Sequence, residues 1–216
     1  MQRLLAARVV AADESGPVRT VAGVDVSNMP RDPEERLYAA IAVLDAASFA
    51  VVAIAEATRR AEFPYVPGLL AFREVPCLLD AFGTLAAPPD LLVVDGHGVS
   101  HPRGLGIASH LGVLLDRPAI GVAKSILVGE PQGELGEASG SWVPLAWRGR
   151  TIGAVLRTRA RVSPVYVSVG HRISLEGAVR QVMALVGRYR LPEPTRQAHL
   201  AANALRRQEL AGPSLI

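Results

Sequence analysis

Three runs rich in apolar and β-branched residues lie near the start of the chain and predict three β-strands. They span residues 20–27, 37–45 and 50–57, and the short polar connections between them are typical of an antiparallel meander. Apolar residues then recur at helical spacing from residue 69 to about residue 85. The side chains available for the buried face of this helix are Leu70, Cys77, Leu78 and Phe82.

The middle of the chain alternates strand, helix and strand. Residues 90–95 and 119–124 are short apolar runs, and residues 106–116 between them have the pattern of a helix. Two strands joined through a helix in this way form a right-handed parallel crossover. Residues 129–141 are rich in Gly and Glu and predict a surface loop that we expect to be mobile.

The last third of the chain predicts three further strands and two helices. The strands cover residues 142–145, 151–157 and 165–169, and the helices cover residues 174–189 and 195–211. Ser174 and Thr195 are the predicted N-caps. The whole order predicts one α/β domain, with a mixed sheet made of an antiparallel meander plus parallel strands and flanked by helices. We expect this single domain to extend over residues 1–216.

Composition narrows the class of protein. With 50% hydrophobic and 20% charged residues among 216, the chain can bury a substantial core, which excludes global disorder. No apolar run reaches the roughly 18 residues of a membrane span. Arg3 and Arg8 interrupt the first residues, which argues against a signal peptide. A single cysteine, Cys77, excludes an internal disulfide and fits a reducing cytoplasm, where we expect a monomer.

Charge is distributed unevenly along the chain. Residues 1–145 hold 11 basic and 17 acidic residues, whereas residues 146–216 hold 12 basic and 3 acidic residues. This asymmetry suits a polyanion held next to a carboxylate-rich site, although solvated helix faces and a coding bias toward Arg would produce it too. Lys124 is the only lysine beside 22 arginines. It marks either a place that needs a compact ammonium group or a chance occurrence.

Three carboxylates stand where chemistry is expected. Asp25 lies inside an apolar strand, which is costly unless the group is paired or binds a metal. Asp95 ends the strand at 90–95, and α/β folds place ligands at the carboxyl ends of parallel strands. If these two strands are neighbours, both aspartates point into one site, and Glu74 can reach it from its helix. Such oxygen ligands favour Mg²⁺.

Two of these carboxylates could instead have purely structural roles. Asp95 could be a turn aspartate, and Glu74 could pair with Arg73 or Arg103 on the surface. The order of strand Asp, helix Glu and strand Asp nevertheless matches the ribonuclease H-like arrangement, whose chemistry is metal-assisted phosphodiester hydrolysis. A zinc site is not favoured by the clustered histidines, because they lie in a Gly-rich turn without a partner Cys. The clustered histidines are His97, His101 and His110.

Five motifs, in this order along the chain, resemble those of the endonuclease V family of deoxyinosine-directed repair nucleases. They are VAGVDVS at 21–27, FPYVPGLLAFRE at 63–74, DGHGVSHPRGLGIASH at 95–110, IGVAKS at 120–125 and LPEPTR at 191–196. The resemblance covers residues from about 20 to about 205, and motifs of this length rarely arise by chance.

The resemblance implies a ribonuclease H-like endonuclease that uses Mg²⁺, for which Mn²⁺ can substitute. It implies hydrolysis of the second phosphodiester bond 3′ to a deoxyinosine, leaving 3′-hydroxyl and 5′-phosphate ends. Inosine-containing RNA is the alternative substrate, and single-stranded DNA is another possible partner. A catalytically silent nucleic-acid-binding domain is the alternative from another class, and the complete set of three acids argues against it.

The resemblance also implies roles for individual residues. It makes Asp25, Asp95 and Glu74 the metal ligands, with Lys124 and His199 as further catalytic residues. The DNA-binding residues are Pro64, Tyr65, Pro67, Arg73 and His101, and the pocket for the base is formed by Gly68, Leu70, Gly98 and Leu127. Physical reasoning agrees for Tyr65, because an aromatic ring on a proline-stiffened loop can fill the gap left by an extruded base.

The sequence departs from the family pattern at a few positions. His97 stands where Gln is usual, Val169 where Pro is usual, and Ile126 where Arg is frequent. The N-terminal segment is short, and we expect it to lack the leading helix of the family.

Overall fold

The protein is described by a computed structural model that covers residues 1–14, 16–29 and 32–211. The strands are β1 (Thr20–Asn28), β2 (Arg36–Asp45), β3 (Val51–Arg60), β4 (Leu91–Asp95), β5 (Ala119–Ala123), β6 (Glu130–Pro131), β7 (Trp142–Trp147), β8 (Arg150–Leu156) and β9 (Val165–His171). The helices are α1 (Gln2–Ala6), α2 (Leu70–Phe82), α3 (Ile107–Leu115), α4 (Leu175–Ala184) and α5 (Glu193–Ala211).

All nine strands belong to one mixed sheet, in the order β3-β2-β1-β4-β5-β9-β8-β7-β6. The antiparallel meander is confirmed, since β1 pairs with β2 and β2 with β3. The expected neighbourhood of the first and fourth strands is confirmed as well, because β1 pairs with β4 in parallel, with Val24 opposite Val94. The crossover from β4 through α3 to β5 is parallel, as predicted. The predicted fold class is therefore correct.

The parallel part of the sheet is shorter than the sequence pattern indicated. It comprises β1, β4 and β5, whereas β5 pairs with β9 and the last strands pair with one another in antiparallel fashion. Between β7 and β8 the reason is the short connection, because a parallel pair needs a long crossover and a hairpin does not. Arg148 and Gly149, both with positive φ, form a two-residue turn between β7 and β8.

For the helices, the structure confirms one local expectation and corrects three. Ser174 is the N-cap of α4, because its hydroxyl accepts a hydrogen bond from the Gly177 N–H at 2.9 Å. Thr195 is not a cap: it lies inside α5, and its hydroxyl donates to the Pro192 carbonyl. α4 ends at Ala184, five residues before the predicted end at 189. Leu70 is 38% exposed rather than on the buried face of α2.

The expectation that the N-terminal segment lacks a helix is wrong, whereas the mobility expected of residues 129–141 is not tested. A short leading helix, α1, is present, contrary to the expectation. Segment 129–141 contains the two-residue strand β6, and its mobility stays a prediction. No helix in the described parts of the chain is long and apolar enough to cross a membrane.

The core has two layers, one on each face of the sheet. One layer packs α2 and α3 against β1, β2 and β4, and the other packs α4 and α5 against the opposite face. Successive residues of β4 alternate between the layers, with Leu92 in the first and Val93 in the second. β2 is buried on both faces, which explains its continuous apolar sequence.

Helix α5 lies unusually close to β1, and Gly23 makes this approach possible. A Cβ atom at position 23 would lie 1.8 Å from the Pro194 carbonyl oxygen in the first turn of α5. Such a distance is far inside van der Waals contact, so any side chain here would push α5 away from the sheet.

We therefore expect Gly23→Ala to destabilise the protein by about 1–3 kcal/mol, as overpacking of a core does. For a chain of this size the midpoint of thermal unfolding should fall by about 2–4 °C per kcal/mol. Gly16→Ala is the matched control, because a Cβ atom at that position meets nothing within 4 Å. Equal midpoints for the two variants in calorimetry would contradict the close approach.

Candidate metal centre

Two aspartates and one histidine converge at the carboxyl ends of β1 and β4. The pairing of Val24 with Val94 brings the next residues, Asp25 and Asp95, side by side. His199 reaches them from α5, and one ligand atom from each of the three residues lies within 4.8 Å of the others. The exposed fractions of the Asp25 and Asp95 side chains are 12% and 13%, so both carboxylates are largely withdrawn from water.

His199 is held in place by a chain of hydrogen bonds between α5 and β1. Its Nδ1 lies 2.7 Å from Asp25 Oδ2, and its Nε2 lies 3.0 Å from Asn203 Nδ2. Asn203 Nδ2 also donates to the His199 carbonyl oxygen at 2.9 Å. Ser27 donates to Asn203 Oδ1 at 2.9 Å, which fixes the orientation of the amide.

This network assigns the tautomer of His199. Because the amide nitrogen of Asn203 can only donate, the Nε2 atom that faces it must carry the lone pair. The ring proton of a neutral His199 is therefore on Nδ1, where it is donated to the Asp25 carboxylate. The atom that faces the carboxylates is Nδ1, and the atom that faces Asn203 is Nε2.

Glu74 approaches the same carboxylates from α2, on the other face of the sheet. It is not part of the group within 4.8 Å, although it is near enough to interact electrostatically with both aspartates. Burial, and then the negative charges of Asp25 and Asp95, raise the pKa of Glu74 to about 8, against a lowering effect of Arg73. Burial and the charge of Asp95 also raise the pKa of Asp25.

Lys124, the only lysine, follows β5 directly and lies at the same edge of the sheet. Its ammonium group contacts the Asp95 carboxylate. The side chain remains 42% exposed, so the ammonium can also reach a ligand outside the protein.

The loop at residues 63–68, called the Tyr65 loop below, projects from the surface before α2. Tyr65 is 67% exposed, and Pro64, Val66 and Pro67 are exposed beside it. Gly68 ends the loop with a φ of +77°, a conformation that favours glycine. An exposed aromatic ring on a stiff loop is suited to stacking against a base.

Both ends of the Tyr65 loop are held by two of the five residues that were predicted to bind DNA. Arg73 is 9% exposed and donates to the Phe63 carbonyl at 2.9 Å and to Glu35 at 3.1 Å. His101 is 5% exposed, and its Nε2 donates to the Gly68 carbonyl at 3.1 Å. Burial of both residues argues against direct phosphate contacts and favours a role in holding the loop.

The four residues of the predicted base pocket lie in different environments. Gly68 and Leu70 are at the end of the Tyr65 loop, and Leu127 is 47% exposed after β5. Gly98 is buried, and a Cβ atom there would lie 2.0 Å from the Val169 carbonyl oxygen. Packing against β9 therefore requires glycine at position 98 independently of any ligand, and the pocket stays a prediction.

His97, one of the residues that depart from the family pattern, makes a defined side-chain contact. Its Nδ1 lies 3.0 Å from the Ser100 hydroxyl, which in turn lies 2.9 Å from the Ser168 hydroxyl. Ser168 also accepts a hydrogen bond from the Gly98 N–H at 2.8 Å. His97 thus helps to hold the turn that follows Asp95.

The donor set fits a hard divalent cation. Two closely spaced carboxylates, whose repulsion already raises one pKa, supply the oxygen ligands that Mg²⁺ and Mn²⁺ prefer. Ser27 and Asn203 were missed in the sequence, although each had a signal. Ser27 shares the strand face of Asp25 two residues away, and Asn203 shares the helix face of His199 four residues away.

Comparison with known proteins identifies relatives along nearly the whole chain. Residues 3–200 match the family model described as Endonuclease V. Endonuclease V from Rhodospirillum centenum is 66% identical over 207 residues, which cover 96% of this chain and 86% of that protein.

Solved structures of endonuclease V proteins also match this chain along most of its length. Endonuclease V from Streptomyces avermitilis has a TM-score of 0.89 and 46% identity, over 95% of this chain and 90% of that one. Endonuclease V from Ciona intestinalis, solved with a 24mer DNA containing an inosine followed by a ribo-adenosine, has a TM-score of 0.82 and 26% identity, over 97% and 94%. A. aeolicus Argonaute has a TM-score of 0.52 and 16% identity over 90% of this chain and 30% of that one, a likeness of fold alone that agrees with the ribonuclease H-like prediction.

Glu74 and Asp25 predict how stability depends on pH when no cation is bound. Their raised pKa values mean that the folded chain binds more protons than the unfolded chain, for Glu74 between about pH 5 and pH 8. The free energy of unfolding should therefore fall as the pH rises through this range. We expect Glu74→Gln to flatten this fall in thermal unfolding with EDTA, whereas the exposed Glu137→Gln should not. The same pH dependence in all three proteins would contradict the assignment.

The tautomer of His199 can be tested by ¹⁵N NMR on the metal-free protein. We expect the proton on Nδ1 in His199 and on Nε2 in His101, which serves as an internal control because its Nε2 donates to Gly68. Asn203→Asp should bring a proton to Nε2 of His199 as well, because both ring nitrogens then face a carboxylate that only accepts, and should leave His101 unchanged. An Nε2 proton on wild-type His199 would contradict the network.

Proposed function

The chain belongs to the endonuclease V family, and we propose that it is a metal-dependent DNA repair endonuclease directed to deoxyinosine. In this proposal it hydrolyses the second phosphodiester bond 3′ to the lesion and leaves 3′-hydroxyl and 5′-phosphate ends. The observation that carries the proposal is the convergence of Asp25, Asp95 and His199 at one edge of the sheet. The inosine-containing DNA bound by the Ciona intestinalis relative supports the substrate.

Asp25 and Asp95 would hold Mg²⁺ or Mn²⁺, with Glu74 and His199 beside them. Such a cation, when bound, acidifies water and offsets the negative charge of a phosphate. The protein withdraws both aspartates from water, which strengthens their interaction with any cation. Donation from His199 Nδ1 orients the Asp25 carboxylate, as partners of metal ligands commonly do.

Three side chains around the aspartates would handle protons and phosphate charge. Glu74, with a pKa of about 8, can hold a proton at neutral pH or accept one from water. His199 presents Nδ1 to the same site. Lys124 presents a compact positive charge at the end of β5, where it would stabilise negative charge that develops on the scissile phosphate.

The Tyr65 loop would recognise the distortion at the lesion. The exposed ring of Tyr65 would stack in the gap that an extruded hypoxanthine leaves, an interaction worth about 1–3 kcal/mol. Pro64 and Pro67 keep the loop stiff, so that little conformational entropy is lost on stacking. Gly68, Leu70, Gly98 and Leu127 would contact the extruded base.

Inosine-containing RNA is a second candidate substrate. The nucleotide after the inosine in the Ciona intestinalis complex is a ribo-adenosine, so that relative accommodates a 2′-hydroxyl at this point. We also propose that residues 1–216 act as one domain and as a monomer. The lone cysteine suits action in a reducing cytoplasm.

The test is cleavage of labelled oligonucleotides that carry one inosine in DNA or in RNA, with Mg²⁺ or with EDTA. We expect Mg²⁺-dependent cleavage of the DNA one nucleotide beyond the inosine. Asp95→Asn should lower the single-turnover rate by at least about 100-fold, because weakening even the partners of metal ligands costs 10–100-fold. The amide keeps the shape of the side chain but not its charge.

Asp80→Asn is the matched control, since Asp80 lies on the exposed side of α2 and pairs with Arg59. It should cleave like wild type. Cleavage by Asp95→Asn at the wild-type rate would remove Asp95 from the site, and preferential cleavage of the RNA would favour the second candidate.

A further inference from the structure

A groove of about 540 Å³ lies beside the turn that follows β4. Its walls come from three separate parts of the chain: α1, residues 99–104, and the hairpin between β7 and β8. The residues that characterise it, called the arginine groove below, are Arg3, Arg103, Trp147, Arg148 and Arg150. Four guanidinium groups thus face one concave surface.

The arginine groove is rich in positive charge. Among the residues that the structure describes, no carboxylate lines it. Within the described ranges of the chain, Arg3, Arg148 and Arg150 form no ion pair. Arg172, by comparison, bridges two carboxylates elsewhere on the surface.

Arg103 connects the arginine groove to the Tyr65 loop. Its guanidinium bonds to two neutral oxygens, the side-chain oxygen of Gln2 and the carbonyl oxygen of Gly68, the latter at 2.7 Å. Neither contact neutralises its charge, and both hold the side chain in place. Arg103 therefore joins the groove to Gly68, the residue that ends the Tyr65 loop.

Arg148 and Trp147 stack on each other in another wall of the arginine groove. The guanidinium of Arg148 lies over the indole ring, 4.2 Å from its centroid. Arg148 has a φ of +51°, a left-handed conformation that favours glycine or asparagine over arginine. Arg148 in the tight turn and Arg150 at the start of β8 both line the groove from the tip of the same hairpin.

We propose that the arginine groove binds the sugar–phosphate backbone of the nucleic-acid strand that runs past the Tyr65 loop; this inference rests on the function proposed above. Guanidinium groups match phosphate oxygens through paired hydrogen bonds, and four of them without a carboxylate provide contacts for several phosphates. The groove contributes affinity without regard to base sequence, and none of Asp25, Asp95 and His199 lines it.

The test uses unmodified DNA in EDTA, so that neither inosine recognition nor cleavage enters the result. We compare the salt dependence of binding for wild type and for Arg148→Ala/Arg150→Ala. Loss of two phosphate contacts should reduce the slope of log K against log salt by about 1.8. Wild type should then lose about tenfold more affinity than the variant between 50 and 200 mM salt.

The control variant, Arg19→Ala/Arg180→Ala, also removes two exposed arginines, but they lie outside the arginine groove. It should keep the wild-type slope. Equal slopes for the groove variant and wild type would overturn the proposal. An equal reduction in both variants would overturn it too, because net charge alone would then explain the effect.

A local readout comes from Trp147. The chain has two tryptophans, so Trp142→Phe leaves Trp147 as the only indole. Saturating unmodified DNA should change the Trp147 emission, because a phosphate on Arg148 disturbs the contact with the ring. Unchanged emission while DNA is bound would overturn the proposal. If inosine-directed cleavage failed but these binding results held, the groove would stand and the proposed reaction would fall.

Discussion

The candidate site depends on how closely helix α5 can lie on strand β1. Three residues on one face of β1 contact residues of α5 in parallel order: Gly23 with Pro194, Asp25 with His199 and Ser27 with Asn203. Each step of two residues along the strand advances about 6.7 Å. The matching steps of five and four residues along the helix advance about 7.5 Å and 6 Å, so the contacts stay in step over this length. The missing side chain at Gly23 sets the distance, and the imidazole reaches a strand carboxylate only because the backbones are so near.

Electrostatic repulsion among the carboxylates is the cost of this convergence. The protein's own residues offset it in two ways: His199 donates to Asp25, and Lys124 contacts Asp95. Glu74 is the third carboxylate, and burial together with the charges of the two aspartates raises its pKa to about 8, which favours its neutral form at neutral pH. None of these arrangements removes a carboxylate from the site. Asp25 and Asp95 would hold a cation whose charge supplies the same compensation, so that metal binding would be linked to proton release.

The sequence predicted the parts of the site that follow from alternation and from strand ends. Asp25 within an apolar run and Asp95 at the end of another were enough to place two carboxylates side by side. The sequence could not show that Arg73 and His101 are buried. An arginine or histidine near a motif has the same sequence signature whether its side chain faces a phosphate or a backbone carbonyl. The antiparallel direction of β9 was equally unreadable, since it depends on which sheet edge receives the returning chain.

Three side chains hold the ends of the Tyr65 loop, whereas the aromatic ring of Tyr65 itself stays exposed. Arg73 holds the carbonyl of Phe63, and His101 and Arg103 hold that of Gly68, so both ends of the loop are fixed from below. A ring that is two-thirds exposed gains nothing from the core of its own protein, and its position is useful only if it is rigid when a ligand arrives. Arg73 and His101 can therefore matter for recognition through the loop that they hold, because a rigid loop lowers the conformational entropy that stacking would otherwise cost.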